Sequence, residues 1–256
     1  MPFLRILSIL LVSMASSLAQ AQNASPSPDL KSVQALRSDP QRQDYYAQVL
    51  EALQKSDSIK KKASALKEAG KPLKISVMPA GELSAPKGKL FGGFIAGDTM
   101  FFSYDFLKSF RSGRIHDVVY DDDVAPDHTV FAIAHLLHHL ETKDAFSAEK
   151  YGKNVEAHLK ARPDDEASAW IFGWNSLIEA ATNKNGGKAL TQRQVTQLLM
   201  NFQYRSILFK AMKVGPSAGT DPNALDLLPS GSIDDNRRNI DAIVEALKSS
   251  QLANIE

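Results

Sequence analysis

Two histidines in the segment Phe131–Ala145 have the spacing of a metal-binding pair. His135 and His139 are four residues apart, and helical geometry turns them only about 40° away from each other, so they would share one face of a helix. The chain has no cysteine, so a zinc site has to use histidine and carboxylate side chains, a ligand set more typical of catalytic than of structural sites. The pair therefore predicts a candidate zinc site.

The residue after the first histidine decides what such a site could do. In the motif H-E-x-x-H that position holds a glutamate, which takes a proton from the zinc-bound water. Here it is Leu136, and loss of a general base typically costs about 10²–10⁴-fold in rate. Glu141 would point away from the pair. His138 would lie to one side, and His128 would either approach along nearly the same stripe or sit at the surface near the helix start.

The surroundings of the pair are apolar. Residues 130–140 are mostly Phe, Ile, Ala and Leu on every side of the predicted helix, which indicates a buried helix. A buried imidazole needs a partner, and this can be a metal ion, a carboxylate, a backbone carbonyl or another imidazole. The spacing alone therefore leaves both a metal site and a metal-free core open.

Glu166 is the candidate third ligand. It would lie in the first turn of the next helix, which we expect to begin around Pro163 with acidic residues at its start. Acidic side chains are also favoured there because they complement the helix dipole, so Glu166 has a purely structural explanation as well.

The order of these elements resembles that of the zincin metallopeptidases. A strand, a Gly-rich hairpin at residues 92–103, the H-x-x-x-H helix and Glu-x-x-Ala on the following helix are most similar to the gluzincin branch, over roughly Leu73 to Ala181. The resemblance implies that His135, His139 and Glu166 are metal ligands and that Leu136 occupies the position of the base. It also implies that the hairpin lies beside a cleft in which an extended peptide could add to the sheet.

The pattern along the chain predicts an α+β protein with a mainly helical, zincin-like core, a small antiparallel sheet or hairpin, and helical extensions at both ends. Trp170 and Trp174 are expected to pack in the core. The predicted segments are a signal peptide at 1–21, an N-terminal helical segment at 22–70, the zincin-like core at 71–185 and a C-terminal helical segment at 186–256. Within them we expect helices at Asp29–Ser56 with a break at Pro40, at Ile59–Ala69, after an N-cap at Asp127, from around Pro163 to Ala181, and at Thr191–Met212 and Ser232–Ser249, and a strand at Lys74–Met78.

Composition and the N-terminal residues restrict the class of protein and its expected location. The 256 residues are 43% hydrophobic and 23% charged, with a net charge of +1, which suits a packed core and argues against a nucleic-acid partner. Arg5, the apolar run Ile6–Val12 and the triplet Ala19–Ala21 are typical of a secretory signal. We expect a periplasmic or secreted protein with no membrane span after signal cleavage.

Three functional hypotheses follow. The first is a catalytically degenerate zinc metallopeptidase that binds metal, a peptide or both. The second is an active zinc-dependent hydrolase whose base comes from His128, His138 or a loop carboxylate. The third is a metal-free binding or scaffold protein whose histidines are core residues. Zinc is the candidate cofactor, and a peptide or protein is the candidate partner.

Overall fold

The computed structural model describes residues 40–79, 93–111, 125–142, 155–202, 205–214 and 233–248. Residues 44–256 belong to one compact unit, and residues 1–43 belong to another. The predicted signal peptide at 1–21 lies outside the described residues. No described helix is both long enough and apolar enough to cross a membrane.

The described residues are mostly helical, which confirms the predicted helix-rich composition. The elements in chain order are α1 (Pro40–Gln54), α2 (Asp57–Glu68), β1 (Lys74–Met78), β2 (Gly93–Ala96), β3 (Thr99–Ser103), α3 (Tyr104–Arg111), α4 (His128–Thr142), α5 (Val155–Lys184), α6 (Gln192–Asn201), α7 (Arg205–Val214) and α8 (Ile233–Lys248).

The three described strands form one sheet in the order β1-β3-β2. β2 and β3 pair antiparallel, with Ile95 opposite Met100, and Gly97 has a positive φ of 57° between them, a conformation that glycine adopts without strain. β1 and β3 pair in parallel, with Val77 opposite Phe102. The prediction of an antiparallel sheet is therefore wrong for this pair. The long connection from β1 to β3 allows the parallel arrangement, which a short turn could not.

Helix α4 carries the two histidines and is buried on nearly every side. Asp127 caps its N-terminus as predicted, because its Oδ1 accepts hydrogen bonds from the backbone N–H groups of Thr129 at 3.0 Å and Val130 at 3.3 Å. The helix packs against α2, α3, α5 and β2. Its apolar side chains thus position the histidines inside the protein.

Helix α5 begins earlier than the sequence predicts. The expected start at Pro163 is wrong, since α5 begins at Val155 and contains Pro163 in its interior. The residues before Pro163 are mostly good helix formers such as Ala, Leu, Lys and Arg, and they extend the helix even though proline cannot donate a backbone hydrogen bond. Glu166 consequently lies well inside a helix.

The predicted helix Thr191–Met212 is divided in two. Thr191 and Gln194 form a capping box that starts α6. Phe202 then adopts an extended conformation and ends α6, and α7 begins at Arg205. The prediction of one continuous helix is wrong, because Phe202 leaves the helical path to fill the core, where it is fully buried.

Two groups of buried side chains form the core. One lies around the sheet, α1 and α2, and includes Met100, Phe102 and much of α4. The other lies among α5 to α8 and includes Trp170 and Trp174, which confirms the predicted core role of the tryptophans. Phe131 belongs to the second group while its neighbours on α4 belong to the first. Helix α4 therefore contributes to both groups.

Candidate metal centre

The side chains of His135, His139 and Glu166 converge between α4 and α5. The Nε2 atoms of the two histidines are 3.2 Å apart. Oε2 of Glu166 lies 3.0 Å from Nε2 of His139, and Oε1 lies 3.4 Å from Nε2 of His135. The three residues form a potential metal-ligand cluster, with one donor atom from each lying within 4.8 Å of the others. The structure thus brings the three predicted ligands together.

The spacing of these donors fits a zinc ion. Zinc in proteins binds imidazole nitrogen and carboxylate oxygen at about 2.0–2.2 Å with tetrahedral geometry, which places any two donors about 3.3 Å apart. The two nitrogens are 3.2 Å apart, and Glu166 approaches them through different oxygens, Oε2 at 3.0 Å from His139 and Oε1 at 3.4 Å from His135, so each distance is close to that value. The donor set, two imidazoles and one carboxylate, is also one that catalytic zinc sites use.

The position of Glu166 removes its simple structural explanation. Because α5 begins at Val155, Glu166 is in the helix interior, well beyond the first turn in which acidic residues interact favourably with the dipole. Its carboxylate instead accepts a hydrogen bond from Nε1 of Trp170, at 3.1 Å from Oε1. The tryptophan therefore orients the carboxylate as well as packing in the core.

Asp165 contacts His139 at Nδ1, the ring nitrogen that does not face the other two ligands. Its Oδ2 lies 2.7 Å from Nδ1 of His139, and its Oδ1 lies 3.3 Å from Nε2 of His138. Thr142 donates a hydrogen bond of 2.7 Å to the same Oδ1. A carboxylate that receives the Nδ1 proton of His139 leaves Nε2 as the metal-binding nitrogen, and metal-ligating histidines commonly have such a partner.

The sequence did not identify Asp165 and Thr142 as parts of the site. The only signals were that Asp165 directly precedes Glu166 and that Thr142 follows His139 by three residues, one helical turn along α4. Their contribution depends on how α4 and α5 are rotated against each other, which the spacing within each helix does not specify.

Two imidazoles of the cluster have opposite electrostatic environments. Burial lowers the pKa of His135 to about 4, despite the attraction of Glu166, so this ring is neutral at physiological pH. Burial also acts to lower the pKa of His139, but hydrogen bonds to Asp165 and Glu166 prevail and raise it to about 9. Without a metal, His139 therefore carries the positive charge of the site.

The two carboxylates are held in their ionised forms. Burial acts to raise the pKa of Glu166, but the neighbouring imidazoles of His135 and His139, together with hydrogen bonds from His139 and Trp170, lower it to about 2. Burial likewise opposes ionisation of Asp165, and the hydrogen bonds from His138 and His139 keep its pKa well below the ordinary value. A divalent cation could take over the role of the proton on His139, because metal binding requires neutral imidazole and releases that proton.

The remaining predicted residues lie outside the ligand cluster. Leu136 is buried and packs toward β2. His138 is directed at Asp165. His128 is buried, with 2% of its surface exposed, and its ring stacks on Phe202 with centroids 5.6 Å apart. The alternative that His128 lies at the surface is therefore wrong, because the residues around it enclose the helix start.

Comparison of the chain with models of protein families, with curated proteins and with solved structures found no match. Function therefore has to be inferred from the geometry and chemistry of the site.

Proposed function

We propose that this protein binds zinc through His135, His139 and Glu166 and is a catalytically degenerate metallopeptidase of the zincin type. One observation carries the proposal: two imidazole nitrogens 3.2 Å apart meet a carboxylate from a second helix, whose Oε2 lies 3.0 Å from one nitrogen and whose Oε1 lies 3.4 Å from the other, distances close to the edge of a zinc tetrahedron. The support that Asp165 gives to His139 adds to it.

The arrangement of elements around the site supports the zincin part of the proposal. The H-x-x-x-H helix α4 packs against the following helix α5, which supplies the carboxylate. α4 also packs against β2, which is an edge strand of the sheet formed by the described strands. This combination is what the resemblance to gluzincins predicts, and the peptide or protein partner that it implies stays a prediction.

The chain's own residues explain why hydrolysis would be weak. A zinc ion supplies Lewis acidity when bound. His135 and His139 would hold it by Nε2, and Asp165 keeps the second proton of His139 on Nδ1. Leu136 cannot accept a proton, so the step that a glutamate normally performs has no group at that position. We expect a rate about 10²–10⁴-fold below that of an enzyme with the base.

A base from elsewhere is the alternative of an active hydrolase, and the described positions of His128 and His138 do not favour either of them as that base. His138 directs Nε2 at Asp165, and His128 stacks on Phe202. Asp165 itself faces Nδ1 of His139, on the other side of the ring from the metal-binding nitrogen. A proton from a metal-bound water would therefore need an acceptor other than His128, His138 or Asp165.

A metal-free role is the second candidate, and one observation favours it. The pKa of His139 is raised to about 9 by its two carboxylates, so an imidazolium alone can satisfy Asp165 and Glu166. In that case the cluster is an internal ion-pair network of a binding or scaffold protein. Its only role is then to hold these side chains to one another.

Elemental analysis separates the two candidates. The protein is stripped with a chelator, reloaded with zinc, desalted and analysed, and its melting temperature is followed as zinc is added. We expect one zinc per chain and a rise in melting temperature that grows with zinc concentration, because a ligand that binds only the folded state stabilises it. His138→Ala is the matched control and should keep the metal.

The metal-free candidate predicts a different result from the same samples. It predicts no stoichiometric zinc after desalting and no change of melting temperature on zinc addition. Either finding would also contradict the proposed metallopeptidase origin of the site.

We further propose that the protein acts in the periplasm or outside the cell, on the basis of the signal-like features Arg5, Ile6–Val12 and Ala19–Ala21.

A further inference from the structure

The side of α4 next to the ligand His135 is closed where the helix meets β2. Leu136, which occupies the position of the missing base, is 5% exposed. A Cβ atom placed on Gly93 would lie 2.8 Å from Cδ1 of Leu136 and 3.0 Å from the carbonyl oxygen of Phe101. A side chain at residue 93 would therefore require Leu136 and the neighbouring strand to shift. The helix and the strand therefore touch directly, with Leu136 filling the gap between them.

A second flank is closed by aromatic rings. Phe131 stacks beside the ring of His135 with centroids 5.9 Å apart, and Trp170 meets that ring edge-on at 6.2 Å. The side chain of His135 is accordingly only 3% exposed. Two aromatic rings thus enclose the innermost ligand on this flank.

The exposure of the cluster is concentrated at its other two members. The side chain of His139 is 23% exposed and that of Glu166 is 29% exposed. Solvent therefore reaches the cluster past these two residues and not past Leu136. Three protein donors leave one tetrahedral position for an exogenous ligand, and the direction of exposure indicates where that ligand enters.

We infer that external ligands of the metal ion enter this centre past His139 and Glu166. These ligands are small monodentate nitrogen or oxygen donors. The contact between Leu136 and Gly93 closes the side on which β2 lies. The inference rests on the proposed function. It departs from the peptide cleft that the hairpin predicted, because a chain lying between β2 and the metal would have to displace Leu136 from the core. Leu136 then packs in the core of this fold as well as occupying the position of the missing base.

The inference is tested with the protein loaded with cobalt(II), whose visible spectrum reports the ligands of the ion. Azide is the probe of the open position. In the wild type, azide should change the spectrum with saturation at one equivalent per cobalt. Leu136→Ala removes the seal, so its melting temperature should fall, but its rate constant for azide association, followed by stopped-flow absorption, should stay within about 2-fold of the wild type because azide enters elsewhere. Leu136→Val is the milder variant if Leu136→Ala does not fold.

The other outcomes each have one meaning. An azide association rate constant that rises 10-fold or more in Leu136→Ala would overturn the inference, because the route past β2 would then be the limiting one. A spectrum that azide changes in neither protein would overturn it as well, while stoichiometric cobalt would leave the proposed metal site intact. If cobalt does not bind to the wild type, the proposed function and this inference both fail.

Discussion

Two histidines at opposite ends of α4 have the same chemistry and opposite behaviour. His128 is buried beside Phe202, and burial lowers its pKa to about 4, although Asp127 acts in the other direction. Burial acts on His139 too, but hydrogen bonds to Asp165 and Glu166 raise its pKa to about 9. The difference teaches that burial by itself predicts a neutral core imidazole, and that nearby carboxylates from a second helix distinguish the ligand cluster from such a core residue.

The strongest test of this contrast is to remove each ring in turn. We expect His139→Ala to weaken zinc binding by more than 100-fold, since it deletes a ligand and exceeds the 10–100-fold loss that outer-shell changes produce. His128→Ala should leave zinc affinity within about 2-fold. Competition with a chromophoric chelator measures both. Equal losses in the two variants would mean that the contrast has no bearing on metal binding.

The pH dependence of stability tests the His128 side of the contrast. The folded-state pKa of His128 is lowered from 6.5 to about 4, so the unfolded chain binds the proton first on acidification. Its contribution to the free energy of unfolding is therefore fully present above pH 6.5 and is lost between pH 6.5 and about 4, by at most about 3 kcal/mol.

Urea unfolding of the chelator-treated protein at pH 7, 6 and 5 measures this dependence. His128→Phe keeps an aromatic ring beside Phe202 but has no titrating group. We expect a shallower loss of stability with falling pH in the variant. Parallel curves for the two proteins would show that His128 is not the group responsible.

Adjacent aspartates sharpen the His139 side of the contrast. Asp165 contacts His139, whereas Asp164 pairs with Arg237 at 2.6 Å in a more exposed position. Asp165→Asn should weaken zinc binding by about 10–100-fold, because the amide supports the imidazole less well than the carboxylate does. Asp164→Asn should change it less than 2-fold, since exposed ion pairs contribute about 0–1 kcal/mol. Isothermal titration with zinc distinguishes them, and similar affinities would contradict the role of Asp165.

The smallest effect is expected at Trp170. Trp170→Phe keeps most of the apolar volume but removes the Nε1–H group that donates to Glu166. We expect zinc affinity to fall by less than about 10-fold and the free energy of unfolding to fall by about 2–4 kcal/mol, the cost of one hydrogen bond to a charged group together with a smaller ring. A loss of affinity as large as that of His139→Ala would mean that the indole is essential for placing Glu166.

The ligand residues and the N-terminus of α4 could be predicted because they depend on local rules. The i, i+4 spacing places His135 and His139 on one face, and Asp127 has the side chain of a helix N-cap. Residues 130–137 indicate a buried helix by their apolar character alone, and they are buried.

The features that could not be predicted depend on contacts between distant segments. Pro163 suggested a helix start that would have put Glu166 at a helix terminus, and only the full helix from Val155 shows otherwise. The role of Asp165 depends on the rotation of α5 against α4. The tight contact between Gly93 and Leu136 depends on how closely β2 approaches α4, and the parallel pairing of β1 with β3 depends on the path of the connection between them.

X-ray absorption at the zinc edge of the metal-loaded protein tests the central claim most directly. The account predicts a four-coordinate ion with two imidazole nitrogens at about 2.0–2.1 Å and carboxylate oxygen at about 2.0–2.2 Å, and one imidazole in His139→Ala. A six-coordinate ion with oxygen ligands alone, or no zinc retained after desalting, would contradict it.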